Sequence, residues 1–267
     1  SLTSNATNNT VELKSSDKIQ NVTFTAVATD NVGIDTISLT NATYSSNSGN
    51  NYYWTKTFDY DDYSYGDTTS SHVLSVTDAA GNSAGQTLNI TVTKTDDEDP
   101  IISTFSASPS TFNLYTSGTT SQVVTFTLTA TDNRAISSTA VSNGASFSSS
   151  SGSTVTYTKT INYSDLSSWG NNTFSFTATV EDAAGNSDTE TLNVVVAKID
   201  NENPAISSFT ASTTSVALTT SSQSQTVTFS ASATDNRGIT SMSLPGATAT
   251  DTTGPDYAWS KTYSYDD

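Results

Sequence analysis

The chain has 267 residues, no cysteine, one histidine, and 9 Lys+Arg against 26 Asp+Glu, for a formal net charge of −17. Such acidity argues against nucleic acid, whose phosphates require Lys and Arg, and against anionic membrane surfaces; it suits a cationic partner, of which a metal ion is the simplest. No apolar run approaches the roughly 20 residues of a membrane-spanning helix, the first residues lack a signal-peptide pattern, and disulfides play no part in holding the chain together.

In chain order, the first predicted element is a strand over Val22 to Ala28, where apolar and polar residues alternate. The phrase TDNVGI (Thr29 to Ile34) follows, then WTKTF (Trp54 to Phe58), DYDDYSYGD and TDAAGN (Thr77 to Asn82). The sequence KTDDEDPII comes next, with four adjacent acids, Asp96, Asp97, Glu98 and Asp99, ahead of a proline. Seven strands are predicted beyond it: Ile101 to Ala107, Phe112 to Tyr115, Gln122 to Ala130, Ile136 to Ala140, Val155 to Ile161, Phe174 to Val180 and Glu190 to Val196. In the third, Val124, Phe126, Leu128 and Ala130 face one way and Thr125, Thr127, Thr129 and Thr131 the other. KIDNENPAI (Lys198 to Ile206) then leads to a further strand over Val227 to Ala233.

The same phrases return at a shift of 102 to 104 residues: TDNVGI as TDNRAI and TDNRGI, TDAAGN as EDAAGN, WTKTF as YTKTI and WSKTY. Self-similarity at one period marks a tandem array. Three repeats are expected, at 1–95, 96–199 and 200–267, the last incomplete, as a window on a longer array. Seven strands in about 100 residues, with no helical periodicity, is the rhythm of an immunoglobulin-like sandwich. The predicted fold is therefore all-β, with tandem immunoglobulin-like β-sandwich domains arranged end to end.

Alternating strand direction sends the acidic linker, the TDN loop and the DAAGN turn to one pole. The junction of repeats 1 and 2 then gathers Asp96, Glu98 and Asp99, Asp132 with Asn133, and Asp182 with Asn186; Asp62 is expected to reach it from below. The equivalent set at the next junction is Asp165, Asp200, Glu202, Asn203, Asp235 and Asn236, and repeat 1 carries Asp30 and Asp78 at its own pole. Asp97 and Asp99 become Asn201 and Asn203 while Asp200 and Glu202 persist, and alternate residues of an extended segment point the same way. Asp96 with Glu98, and Asp200 with Glu202, are thus the favoured chelating pairs. Oxygen-only donors suit calcium, which takes 6 to 8 oxygens in flexible geometry, better than octahedral magnesium or zinc. The competing readings are plainer: a solvated hinge for the linker, an Asx-turn for TDN, and a hairpin turn for DAAGN with Gly81 and Gly185 left-handed.

An acidic linker ending in Asp/Asn-Pro, TDN-x-x-I and D-x-AGN, all recurring at one period, resemble the tandem immunoglobulin-like or cadherin-like extender repeats of large calcium-dependent bacterial surface adhesins. The resemblance implies an extracellular, cell-surface location and a structural role in adhesion, as an adhesin stalk, a filament or a biofilm fibre. It also implies calcium stiffening the junctions of a rod. The partners implied are neighbouring repeats or filament subunits, with glycans or proteins reached through regions outside this window, and neither nucleic acid nor membrane insertion.

Nothing reads as catalytic. His72 has no counterpart in the other repeats, and Asp59, Asp61 and Asp62 become Asn162, Ser164 and Asp165. The alternative function is a carbohydrate-binding module, with Tyr60, Tyr63 and Tyr65 of repeat 1 stacking on sugars. Lys56, Lys159 and Lys261 share a strand face with Trp54, Tyr157 and Trp259. They are read as stems packed on aromatics or as ion pairs, the rarer option being an isopeptide cross-link.

Overall fold

The computed structural model describes residues 1–266. The chain is all-β apart from one-turn 3-10 segments. In the first repeat, β1 (Leu2–Ser4), β3 (Ile19–Val27), β6 (Asn51–Asp59) and β5 (Thr43–Ser48) form one sheet. The facing sheet is β2 (Thr10–Lys14), β8 (Ser83–Thr95), β7 (Gly66–Asp78) and β4 (Ile34–Leu39). The second repeat has the same plan. Its first sheet is β9 (Ile101–Ser108), β11 (Ser121–Thr131), β14 (Thr154–Asn162) and β13 (Ser146–Ser151). Its second is β10 (Thr111–Tyr115), β16 (Ser187–Ile199), β15 (Gly170–Asp182) and β12 (Ile136–Val141). This is an immunoglobulin-like sandwich in which the chain crosses from one sheet to the other between its first two strands. β2 and β10 consequently pair parallel to β8 and β16, while the other strand pairs are antiparallel.

The alternation seen in the sequence becomes the core. Along β11, Val124, Phe126, Leu128 and Ala130 are buried against Tyr157 and Ile161 of β14 and Phe176, Ala178 and Val180 of β15. Repeat 1 builds its equivalent from Val22, Phe24, Trp54, Phe58, Leu74, Ile90 and Val92. Burying one such side chain contributes on the order of 1.5–3 kcal/mol before entropy is counted, so each sandwich has its own source of stability. In the third repeat the described residues form one sheet, β17 (Ala205–Ala211), β18 (Ser224–Thr234), β20 (Asp256–Ser264) and β19 (Thr248–Asp251). Its buried cluster is small: Ala231, Tyr257 and Trp259.

Two features differ from expectation. Each of the first two repeats has eight strands, the addition being β5 and β13, whose residues are exposed throughout. The platform of three tyrosines is also absent. Tyr60 is buried and Tyr63 packs beside Phe58, so the sugar-stacking surface proposed for repeat 1 does not exist as a set.

Candidate metal centre at the repeat junction

Three segments meet where repeat 1 hands over to repeat 2: the linker at 96–100, the loop between β11 and β12, and the hairpin turn between β15 and β16. Each contributes one aspartate. Carboxylate oxygens of Asp96, Asp132 and Asp182 all lie within 4.8 Å of one another.

The turn fixes Asp182. Gly185 has φ +97, a conformation that favours glycine, and curls the backbone so that the N–H groups of Ala184, Gly185 and Asn186 donate to Asp182 Oδ1 at 2.8, 2.6 and 2.8 Å. Asn186 Nδ2 donates to Asp182 Oδ2 at 2.9 Å and also to the Asp96 carbonyl at 3.3 Å, tying turn to linker. Burial pushes the Asp182 carboxyl pKa up, but the hydrogen bonds from Asn186 and the turn amides outweigh it, leaving the pKa below its ordinary value. Asp182 is therefore a buried, ionised carboxylate.

Asp132 closes an Asx-turn. Its Oδ2 accepts from the N–H of Arg134 at 2.6 Å and of Ala135 at 3.2 Å. Its Oδ1 is buried and has no hydrogen-bond partner. Asp96 is also buried: its Oδ1 accepts from Ser15 Oγ at 2.8 Å and Asn133 Nδ2 at 3.2 Å, and its Oδ2 is likewise buried without a partner. An unpartnered buried carboxylate oxygen is costly, and here two adjoin a third carboxylate. A hard cation satisfies all three. Calcium–oxygen distances of about 2.3–2.6 Å place ligands on opposite sides of one ion nearly 5 Å apart, so the observed span accommodates a single ion.

The other linker residues divide by direction. Glu98 Oε2 accepts from Asn133 Nδ2 at 2.8 Å and lies outside the three-oxygen cluster. Asp97 points the other way, into repeat 1. It accepts from Ser15 Oγ at 2.8 Å, Ser16 N–H at 3.0 Å and the Ser16 hydroxyl. The Ser16 hydroxyl and N–H and the Ser15 hydroxyl push its pKa down to about 2. Asn201 occupies the same position in the second linker and accepts from Thr116 Oγ1 and from Ser117 N–H and Oγ at 2.8, 3.1 and 3.2 Å. This position therefore needs an acceptor rather than a charge, which explains why Asp and Asn exchange there. The hydroxyl pairs Ser15–Ser16 and Thr116–Ser117 are site residues that sequence reading passed over.

Asp99 is exposed, next to buried Pro100. Asp62 ends a one-turn 3-10 segment, is exposed, and does not belong to the converging group. Asp165 is turned to a local task, its Oδ2 accepting from Asn162 N–H at 2.8 Å. At the second junction Asp200 accepts from Thr116 Oγ1 and Glu202 N–H, and Asn236 Nδ2 donates to Glu202 Oε2 at 3.2 Å. Asp235 accepts from Arg237 and Gly238 N–H, as Asp132 does from its own loop, and Asn203 is exposed. Among the described residues no hairpin aspartate completes a trio there. In repeat 1, Asp30 and Asp78 form the same two turns. Asp30 accepts from Val32 and Gly33 N–H. Asp78 accepts from Ala80 and Asn82 N–H and from Asn82 Nδ2.

No known protein-family profile matches the chain. No curated protein does either. Solved structures do. The titin domains Z1Z2 in complex with telethonin align over 72% of this chain and 93% of theirs, at 10% identity and a TM-score of 0.33. Extracellular cadherin domains 1–5 of protocadherin gamma B2 align over 95% of this chain and 52% of theirs, at 14% identity and a TM-score of 0.34. The sialic acid binding region of a Streptococcus sanguinis SK1 adhesin, bound to 3'sLn, aligns over 74% of this chain and 78% of its own, at 10% identity and a TM-score of 0.25. At such scores these are likenesses of β-sandwich architecture, and no ligand or partner is transferred from them.

The repeated lysines have a plain geometry. Lys56 Nζ lies 5.8 Å from the Phe58 ring centroid and Lys261 Nζ 5.5 Å from that of Tyr263, each two residues along its own strand. Gly144 leaves room for the Lys159 ammonium, since a β-carbon there would stand 3.2 Å from Nζ.

Proposed function

We propose that the chain is a structural extender section of an extracellular adhesin or surface filament. In this reading immunoglobulin-like repeats at 1–95, 96–199 and 200–267 are stiffened by calcium at their junctions. The observation that carries it is the pair of buried, unpartnered oxygens, Asp96 Oδ2 and Asp132 Oδ1, beside the ionised Asp182. Asp96, Asp132 and Asp182 would hold the ion, with Glu98, Asn133 and Asn186 closing the site around them. One ligand comes from the linker and two from the repeat that follows, so an ion there joins linker to sandwich. Its partners are neighbouring repeats, and glycans or proteins would be reached through parts of the molecule outside this section.

Extracellular calcium modules bind at about 10⁻⁴ to 10⁻³ M, so millimolar calcium is expected to fill the site. Small-angle scattering of the chain in calcium and then in chelator tests this. Chelation is expected to shorten the mean end-to-end dimension and broaden its distribution, and Asp96→Asn to reproduce that change with calcium present. Identical wild-type profiles in both conditions overturn the proposal.

A further inference from the structure

The chain has only two arginines, Arg134 and Arg237, and both directly follow a TDN phrase. Each rests on an aromatic ring of the preceding repeat. The Arg134 guanidinium carbon lies 4.3 Å from the Tyr65 ring centroid, and that of Arg237 lies 5.5 Å from the Trp169 centroid. Close to each ring sits a lysine from the last strand of the same repeat. Lys94 Nζ is 5.0 Å from Tyr65 and 3.9 Å from Tyr60; Lys198 Nζ is 5.5 Å from Trp169 and 4.7 Å from Tyr163. Both ammonium groups are anchored by a backbone carbonyl, Tyr63 O at 2.9 Å and Leu166 O at 2.8 Å. The rings brace each other, Tyr60 meeting Tyr65 edge-on at 6.1 Å with a 3.0 Å hydroxyl contact, and Tyr163 meeting Trp169 at 6.3 Å.

In a chain of charge −17, four of the nine cationic residues are thus concentrated on two aromatic shelves at the two junctions. None of the shelf groups belongs to the aspartate trio. A planar guanidinium stacks on a ring face in a way an ammonium does not, and repeat 1 has Val32, 79% exposed, where the later repeats have arginine.

We propose that the aromatic–lysine shelf at the lower end of each repeat is a seat for the arginine of the next repeat. It is a metal-independent clasp, and it favours as successor a repeat whose TDN loop carries arginine. With the cation removed, the junction then opens about this contact as a one-sided hinge instead of a free joint. The absence of native cysteine makes the test direct. Spin labels on Ser45→Cys in repeat 1 and Ser148→Cys in repeat 2 of the full chain report the inter-repeat distance distribution in chelator. An exposed cation–π contact is worth about 0.5–1 kcal/mol, so Arg134→Val is expected to lower the docked-to-undocked odds about two- to fivefold. Tyr65→Leu, placed in the other repeat and so independent of any folding defect in repeat 2, is expected to do the same, with the double variant no worse than either single one. Unchanged distributions in chelator, or additive broadening in the double variant, overturn the clasp. The calcium proposal is judged separately, by the wild type's response to chelator.

Discussion

Asp132→Asn is expected to change the stability of repeat 2 in opposite directions with and without calcium. Three carboxylate oxygens lie within 4.8 Å. Each pair of full charges at that distance repels by about 3.5 kcal/mol at an effective dielectric near 20. Removing the Asp132 charge deletes two of the three repulsions, about 7 kcal/mol before screening. The residue is half-buried and the site adjoins solvent, so ions and water leave about 1–3 kcal/mol of that. Asparagine keeps an acceptor for the Arg134 and Ala135 amides, and puts a donor in place of the buried, unpartnered Oδ1. In chelator the variant is therefore expected to melt about 4–12 °C higher than wild type, given the enthalpy of a domain of this size. Calcium at 1,000 times its dissociation constant adds about 4.1 kcal/mol to a protein that binds it, more than the variant gains from the lost repulsion, so in such calcium the wild type overtakes the variant. Differential scanning calorimetry of the full chain under both conditions reads the crossover. A variant less stable than wild type in chelator, or one stabilised equally by calcium, refutes the reasoning.

His72 is wholly buried against Phe24, at 4.4 Å between centroids, where repeat 2 packs a tilted Phe176 against Phe126 at 4.5 Å. Burial lowers its pKa, the Thr40 carbonyl raises it, and Lys56 lowers it, leaving a net reduction. The native state thus holds a neutral ring, and its stabilising effect is complete above the unfolded value near 6.5 and lost as pH falls through the depressed native value. Repeat 1 is expected to lose melting temperature on acidification below about pH 6.5, and His72→Phe to remove that part of the slope; parallel pH profiles for the two proteins would contradict it. Lys56, Lys159 and Lys261 are expected to be free amines. Intact mass equal to that of the sequence agrees with this, and a loss of ammonia or water per repeat does not.

Much of the fold was legible because Thr and Val alternate with buried residues at period 2, as along β11, and because the repeats state the pattern more than once. β13 was not legible: SFSSSS has no apolar alternation, since this edge strand buries neither face and is held by backbone pairing with β14 and a few exposed side-chain contacts to it. Asp96, Asp132 and Asp182 could be assembled from strand direction, which decides the pole each loop visits. Asp62 could not be placed that way. Its loop does reach the junction, but through Tyr65, because the one-turn helix at Tyr60–Asp62 turns the acid outward. The hydroxyls that hold Asp97 lie in a short turn rich in serine, a composition that carries no mark of its long-range partner 81 residues away. The recurrence of a hydroxyl pair in that turn of both repeats was the available signal.

The strand swap between sheets has a mechanical consequence. Because β2 runs parallel to β8, and β10 to β16, the strands near the two ends of each complete sandwich lie side by side and point the same way. Tension along the chain draws β2 toward its start and β8 toward its end, so the pair is loaded in shear. The five paired positions from Thr10 with Thr91 to Lys14 with Thr95 bear that load together, as do the five from Thr111 with Val195 to Tyr115 with Ile199. A hairpin pulled from its open end would instead yield one bond after another. Each complete sandwich therefore resists extension along the direction in which a tethered chain would be drawn.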